Sequence, residues 1–452
     1  MNNLIKNVIR LSIPAIMAEI SSIIMQYIDA AMVGSLGAEQ TAAIGLVSTS
    51  TWLIGGLCMG TATGFSVQVA QLIGAKREDE AGHVLRQSIL VSLIFSLIIT
   101  IAGVGICGKL PVWLGGEKSI CRDASLYFLV YCISLTAIQF RYLAGSMLQC
   151  SGDMHTPSIL NVTMCFLDVI FNAVLIFPTR KVVIAGISLK IYGAGLGVTG
   201  AAIGTAIAET IVAVIMLWCV CVRSEKLRIK SGQSWKIDKK CMKSAAYIAL
   251  PMTFEHTVMC GAQVMSTRIV APLGNVSVAA NSLAVTAESF CYMPGYGIGS
   301  AATTLVGQSM GSKEQHKARH YARLSVLLGT VVMTFSGILM FVLAPFMFRM
   351  LTPDVMVQKL GVRVLRIEAF AEPLYAVSIV ASGALRGAGD TLIPSILNLF
   401  SMWGVRIVLS FILAPVFGLT GVWIAMCIEL CIRGILFLIR LLREKWLNIE
   451  II

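Results

Sequence analysis

By their position in long apolar stretches of this sequence, ten ionisable side chains are candidates for chemistry: Glu19, Asp29, Asp168, Glu209, Glu255, His256, Glu288, Glu372, Arg406 and Glu429. A charge in the middle of a hydrocarbon layer costs about 2.5–3.5 kcal/mol on insertion scales, so such residues face partners, cavities or cargo rather than lipid. Asp168 and Asn172 are four apart, which puts them on one helix face. Asp29 lies about 18 residues along its run, roughly 27 Å at 1.5 Å per residue, and so toward the far end of its helix. Low dielectric disfavours a charged carboxylate, and a bound cation or proton relieves it. That is the chemistry of an ion-coupling site, and Asp29, Asp168 and Asn172 are the candidates for it. Glu255 and His256 are adjacent, so they point about 100° apart on a helix and cannot both face one partner. Imidazole is the one group in the set that ordinarily titrates near neutrality. With Glu288 and Glu372, these two are candidates for a substrate site or a second ion site. Glu429 and Arg433 are spaced to pair along one face, and Arg406 is read as the counter-charge of one of the glutamates.

The stretches that carry these groups define the architecture. Of 452 residues, 57% are hydrophobic and only 13% charged, and the mean hydropathy is +0.84. A soluble domain has about 25% charged residues, which excludes a soluble enzyme. Apolar runs near 11–33, 42–72, 85–108, 122–148, 157–178, 194–222, 245–270, 276–308, 322–347, 356–386, 393–416 and 418–440 are each long enough to cross a ~30 Å hydrocarbon core. The fold class expected is an all-α integral membrane protein with twelve transmembrane helices. The net charge of +12 reflects basic loops beside a bilayer rather than a nucleic-acid partner. Eight basic residues, Arg223, Lys226, Arg228, Lys230, Lys236, Lys239, Lys240 and Lys243, crowd the central linker. The positive-inside rule then puts both termini in the cytoplasm of a multi-pass protein of the cell (inner) membrane. Leu11 to Met32 is too long for a cleavable signal and carries Asp29. The 13 cysteines are scattered without a CxxC pair and read as reduced packing residues.

The sequence is also duplicated. An offset of 237 residues, with no gap, aligns Pro14 with Pro251, Leu36-Gly37 with Leu273-Gly274, and Val69, Gln71, Gly74 and Lys76 with Val306, Gln308, Gly311 and Lys313. It also aligns Gly152-Asp153 with Gly389-Asp390, and Pro157 to Asn161 recur as Pro394 to Asn398. Two six-helix lobes follow, 1–222 and 244–452, joined by the linker 223–243 and related by an axis along the membrane normal. The membrane charges do not share the repeat, because Asp29 aligns with Ser266, Asp168 with Val405 and Glu255 with Ala18. Gly56, Gly60 and Gly64 form a small-residue stripe suited to close helix packing, and Pro294-Gly295-Tyr296-Gly297 is the expected hinge.

Asp29-Ala-Ala-Met-Val-Gly-Ser-Leu-Gly37, Met293-Pro-Gly-Tyr-Gly-Ile-Gly299 with Leu305-Val-Gly-Gln308, and Ser382-Gly-Ala-Leu-Arg-Gly-Ala-Gly-Asp390 resemble the multidrug and toxic compound extrusion (MATE) family over nearly the whole chain. The resemblance implies a non-enzymatic secondary exporter of amphipathic, usually cationic, compounds, working by alternating access on a proton or sodium gradient, with no cofactor. It places the first-lobe ion site at Asp29 with an Asn-x-x-x-Asp pair, which this sequence holds in exchanged order as Asp168 and Asn172; sodium, if used, would bind there. In the second lobe Glu255 matches the family's helix-seven acid, while Tyr375 stands at the usual helix-ten Asp, one turn after Glu372. The alternative is a lipid-linked saccharide flippase of related architecture. Its anionic cargo would want basic groups where this chain has carboxylates. The protein is expected to act as a monomer.

The topology is testable with the native cysteines first blocked. Single cysteines introduced at Lys76, Lys236 and Lys313 should react only from the cytoplasm, and ones at Lys118 and Lys190 only from outside. Labelling of Lys236→Cys from outside would overturn the orientation.

Overall fold

A computed structural model describes residues 2–184, 187–229 and 235–451, almost all of them helical. The first set of helices is α1 (Asn2–Gly34), α2 (Ala38–Gly74), α3 (Glu78–Ile106), α4 (Lys118–Ser151), α5 (His155–Leu175) and α6 (Gly197–Trp218, continued by a π-turn at Cys219–Arg223). The second comprises α7 (Lys239–Val270), α8 (Asn275–Gly311), α9 (Gln315–Leu351), α10 (Val355–Glu368 and Glu372–Ala388), α11 (Leu392–Leu399, a π segment Phe400–Ile407 and Val408–Phe417) and α12 (Leu419–Leu442). The 237-residue offset carries the starts of α2 to α5 onto the starts of α8 to α11 without a residue of slippage. Packing repeats too. α2 lies on α4, α4 on α6, α5 on α6 and α1 on α5, as α8 lies on α10, α10 on α12, α11 on α12 and α7 on α11. The sets meet where α1 crosses α8 and where α2 crosses α7 and α8.

Nine of these helices, α1 to α6, α9, α11 and α12, are long and apolar enough to cross a membrane on their own composition. The other three, α7, α8 and α10, are diluted by glutamates, hydroxyls and glycines, and they carry Glu255, His256, Glu288 and Glu372. Glu255, Glu288 and Glu372 are buried against other helices rather than offered to lipid.

Three local features depart from the expected all-helical pattern. A β-hairpin of β1 (Pro178–Ile184) and β2 (Ile187–Ala194) joins α5 to α6, because Val182, Val183, Ile184, Ile187 and Ile191 are β-branched and favour strand over helix. α10 breaks between Glu368 and Glu372. The cause is Pro373, which cannot donate to the carbonyl of Ala369 and instead opens the second segment. By contrast, Pro294 sits inside an uninterrupted α8, so the expected hinge is closed helix here. A Cβ on Gly297 would stand 2.6 Å from the Ile16 backbone nitrogen of α1, so this glycine serves close packing.

The glycine stripe of α2 packs on α7. Gly56 receives the His256 ring, Gly60 faces Thr253 and Gly64 faces the Ala245 carbonyl. Pro251 leaves the Tyr247 carbonyl without its helical donor, and the Thr391 hydroxyl supplies one at 3.5 Å. The linker is held to the first set at both ends. Lys226 Nζ donates to the Ser151 carbonyl at 2.9 Å. Farther on, the buried Gln87 amide donates to the Lys236 carbonyl at 2.7 Å and accepts from the Asp238 backbone N–H at 3.1 Å. Lys239, Lys240 and Lys243 already belong to α7, and Lys230 lies outside the described residues.

Glu429 of α12 is fully buried, and one of its oxygens accepts from Arg406 Nε at 3.0 Å, Arg406 Nη2 at 2.7 Å and Arg433 Nη2 at 3.0 Å. Arg406 therefore neutralises Glu429, and the i, i+4 pairing with Arg433 forms as its spacing implied. Breaking a buried ion pair by removing one partner costs about 3–5 kcal/mol. Glu429→Leu should lower the melting temperature strongly, and adding Arg406→Met with Arg433→Met should restore it. A single variant as stable as the parent would show that the two guanidiniums find other partners.

Candidate functional site

The first-lobe site is assembled by α1, α5 and α6. The backbone turn of α5 sets Asp168 and Asn172 one above the other, both fully buried. The Asn172 amide nitrogen donates to Asp29 Oδ1 at 2.9 Å and to Asp168 Oδ2 at 3.0 Å. One amide thus clasps two carboxyls from two helices, and the carboxyls themselves lie side by side with the Thr205 hydroxyl of α6 at Asp168. Two adjacent carboxyls repel as anions and accept a shared proton or a cation between them. Asp168 Oδ1 and Asn172 Oδ1 are buried without a hydrogen-bond partner, leaving acceptor capacity of the kind a proton or a small hard cation takes. The clasp depends on close approach by α6, since a Cβ on Gly204 would fall 2.1 Å from Asn172 Oδ1. All three residues expected of this site converge.

In the second lobe the expected residues divide between two places. Glu255 is held by Arg386 Nη2 at 3.2 Å, Asn398 Nδ2 at 2.7 Å and Ser395 Oγ at 3.1 Å. It is a neutralised, fully hydrogen-bonded carboxylate that ties α7 to α10 and α11. Its neighbour His256 turns to α2 and packs against Gly56. Glu372 lies elsewhere, at the start of the second segment of α10, beside Glu288 of α8 and Cys291. Glu288 in turn faces Glu368, the last residue of the first segment. Both oxygens of Glu368 and of Glu372 are buried without a hydrogen-bond partner. Tyr375 stands beside this acidic group in an aromatic cluster, its ring 5.7 Å from that of Tyr292 and 5.5 Å from the Arg433 guanidinium. Glu368 escaped the reading of the sequence, although its spacing of four from Glu372 was visible.

The remaining acidic membrane residues, Glu209 and Glu19, gather at one arginine. Glu209 binds Arg141, whose guanidinium also covers the Tyr142 ring at 4.5 Å; Glu19 lies near the same arginine. Among the described residues no three His, Cys, Asp or Glu side chains are arranged to hold a metal ion. Gly307-Gln-Ser309-Met-Gly311 has the GxSxG spacing of a serine nucleophile. It lies within helical α8, however, with Ser309 Oγ donating to the Leu305 carbonyl at 2.8 Å, so the strand-to-helix elbow that chemistry needs is not formed.

Known proteins share this fold. The MatE family model matches twice, over residues 14–174 and 251–412, which is the internal duplication found again. The chain is 24% identical to the probable multidrug resistance protein NorM of Thermotoga maritima, over 98% of this chain and 93% of that protein. Multidrug resistance protein MdtK of Yersinia enterocolitica is 25% identical, over 98% of this chain and 95% of its own. Among solved structures, a MOP superfamily transporter from Pyrococcus furiosus superposes with a TM-score of 0.90 at 21% identity, covering 99% of this chain and 97% of that one. The outward-facing conformation of a multidrug resistance MATE family transporter superposes with a TM-score of 0.89 at 21% identity, covering 98% and 97%. Fold, duplication and family model agree: the chain belongs to the MATE family.

Proposed function

We propose that the chain is a secondary active exporter of drugs and other amphipathic organic cations. It exchanges them for protons or sodium ions by alternating access between the lobes 1–222 and 244–452, with 223–243 as linker. The observation that carries this reading is the Asn172 clasp, in which two carboxyls from different helices share one amide and keep free acceptor oxygens. A proton or cation arriving there changes the force between α1 and α5, which is how binding becomes movement. The relatives bear multidrug resistance names, in keeping with drugs as cargo. The flippase alternative is not favoured. The arginines Arg141, Arg386, Arg406 and Arg433 are all tied to glutamates, while the groups that form no direct ion pair, Asp29 with Asp168 and Glu288 with Glu368 and Glu372, are acidic. Carboxyls outnumber arginines in this interior, which favours cationic cargo. We assign the cargo or second-ion role to Glu288, Glu368 and Glu372 with Tyr375, and a positioning role to Glu255. The same reading places the protein in the cell (inner) membrane as a monomer with both termini cytoplasmic.

Uptake of a fluorescent organic cation into everted vesicles, driven in turn by a pH gradient and by a sodium gradient, tests the proposal and identifies the coupling ion; no uptake with either would reject it. Asp29→Asn and Asp168→Asn should each abolish uptake at unchanged expression and melting temperature. Gly204→Ala should weaken it by displacing Asn172. Wild-type uptake in Asp168→Asn would make that residue structural.

The two second-lobe places should separate experimentally. Glu372→Gln is expected to weaken organic-cation binding by about 1–3 kcal/mol, the loss of a buried charged partner, with little loss of stability. Glu255→Gln should instead destabilise the fold by leaving Arg386 unpaired. Calorimetric titration and thermal melts on the same purified variants decide, and the opposite pattern would exchange the two roles.

A further inference from the structure

The duplicated residues Gln71, Gly74, Gln308 and Gly311 take no part in either acidic site, yet they meet at the crossing of α2 and α8. A Cβ on Gly74 would stand 1.9 Å from the Gln308 carbonyl oxygen, and one on Gly311 would stand 1.7 Å from that of Gln71. The two contacts are images of each other under the 237-residue offset. The side chains obey the same symmetry. Gln71 Nε2 donates to the Gly387 carbonyl at 3.2 Å, and Gln308 Nε2 donates to the Cys150 carbonyl at 3.0 Å. Cys150 and Gly387 are also related by the offset, and each lies in the last turn of its helix, α4 or α10. Carbonyls there have no donor within their own helix, so each lobe completes a helix end of the other. Lys76 and Lys313, just beyond the crossing, hold matched left-handed conformations at φ +59 and +58°. Both helices are almost wholly buried over this half and more exposed over their first halves, so the lobes are fastened at the linker face and looser at the opposite one.

We infer that Gln71 and Gln308, with the glycines that let their helices touch, are the two bolts of a gate on the linker face that must be released for each transport cycle. The inference rests on the alternating-access reading above. Buried hydrogen bonds between amide and carbonyl are strong enough to hold a closed state and weak enough to be exchanged for water within a cycle. Glycine at both crossings removes the steric barrier to closure and supplies no adhesive of its own.

The test measures the gate directly. Spin labels carried by non-natural amino acids at Lys76 and Lys313, with the native cysteines left in place, report the separation of the lobes in the full chain. The parent should show a dominant short distance. Gln71→Ala and Gln308→Ala should each lower the ratio of short to long distance roughly three- to tenfold, the worth of one such bond. Gly74→Ala and Gly311→Ala should lose the short distance. Unchanged distance distributions in both glutamine variants would overturn the gate. So would a lowered melting temperature at unchanged distance, which marks residues that only hold the fold. If the ratio responds while the parent transports no cation in vesicles, the gate stands and the exporter reading falls.

Discussion

A hydrocarbon layer cannot solvate a carboxylate, and every polar feature of this fold answers to that constraint. Glu209, Glu255 and Glu429 meet it with arginines from neighbouring helices and are thereby fixed in place. Asp29 with Asp168, and Glu288 with Glu368 and Glu372, have no such arginine clasp. On the exporter reading proposed above, the division between carboxyls satisfied by the protein and carboxyls satisfied by a passing ion or cargo is the division between scaffold and machine.

The duplication extends this logic. Pro, Gly and loop positions are shared between the lobes at a constant offset, and the starts of α2 to α5 and of α8 to α11 obey it to the residue, because those positions set backbone geometry. Charges are not shared. The loop aspartates differ only in part: Asp153 caps the start of α5 through the Thr156 N–H at 3.0 Å, and Asp390 meets the equivalent Ile393 N–H but also pairs with Arg440 of α12 at 2.6 Å. One architecture therefore supports two unlike interiors.

Much of this was legible in the residues. Apolar run length and the ungapped repeat predict twelve helices in two lobes, since hydropathy and repetition are properties of the chain itself. The i, i+4 spacing of Asp168 with Asn172, and of Glu429 with Arg433, predicts contacts that form because a single helix makes them. Partners across helices were not legible. Glu255 stood beside Glu372 in family position, yet its bond to Arg386 depends on how α7 meets α10, which no local pattern encodes. Glu368 was hidden because its helix ends there, and the role of Pro373 in that break becomes visible only once the helix is seen to restart. The hairpin between α5 and α6 falls between the apolar runs 157–178 and 194–222, where hydropathy alone reads only a connection.

The Gln87 clasp on Lys236 and Asp238 has a mechanical consequence. Because α7 begins at Lys239, the second lobe leaves the surface of the first with no slack chain between them, on the side where α2 faces α7. The tail reinforces that side: the Ile451 carbonyl accepts from Ser244 at 3.1 Å, and its side chain packs beside Val67, Ile248 and Met252. On the far side, where α1 faces α8, no covalent tether crosses. The twofold relation between the lobes is thus broken by connectivity, like a book bound along one edge. Any parting at the linker face would swing about the bound edge and be widest along the α1–α8 seam.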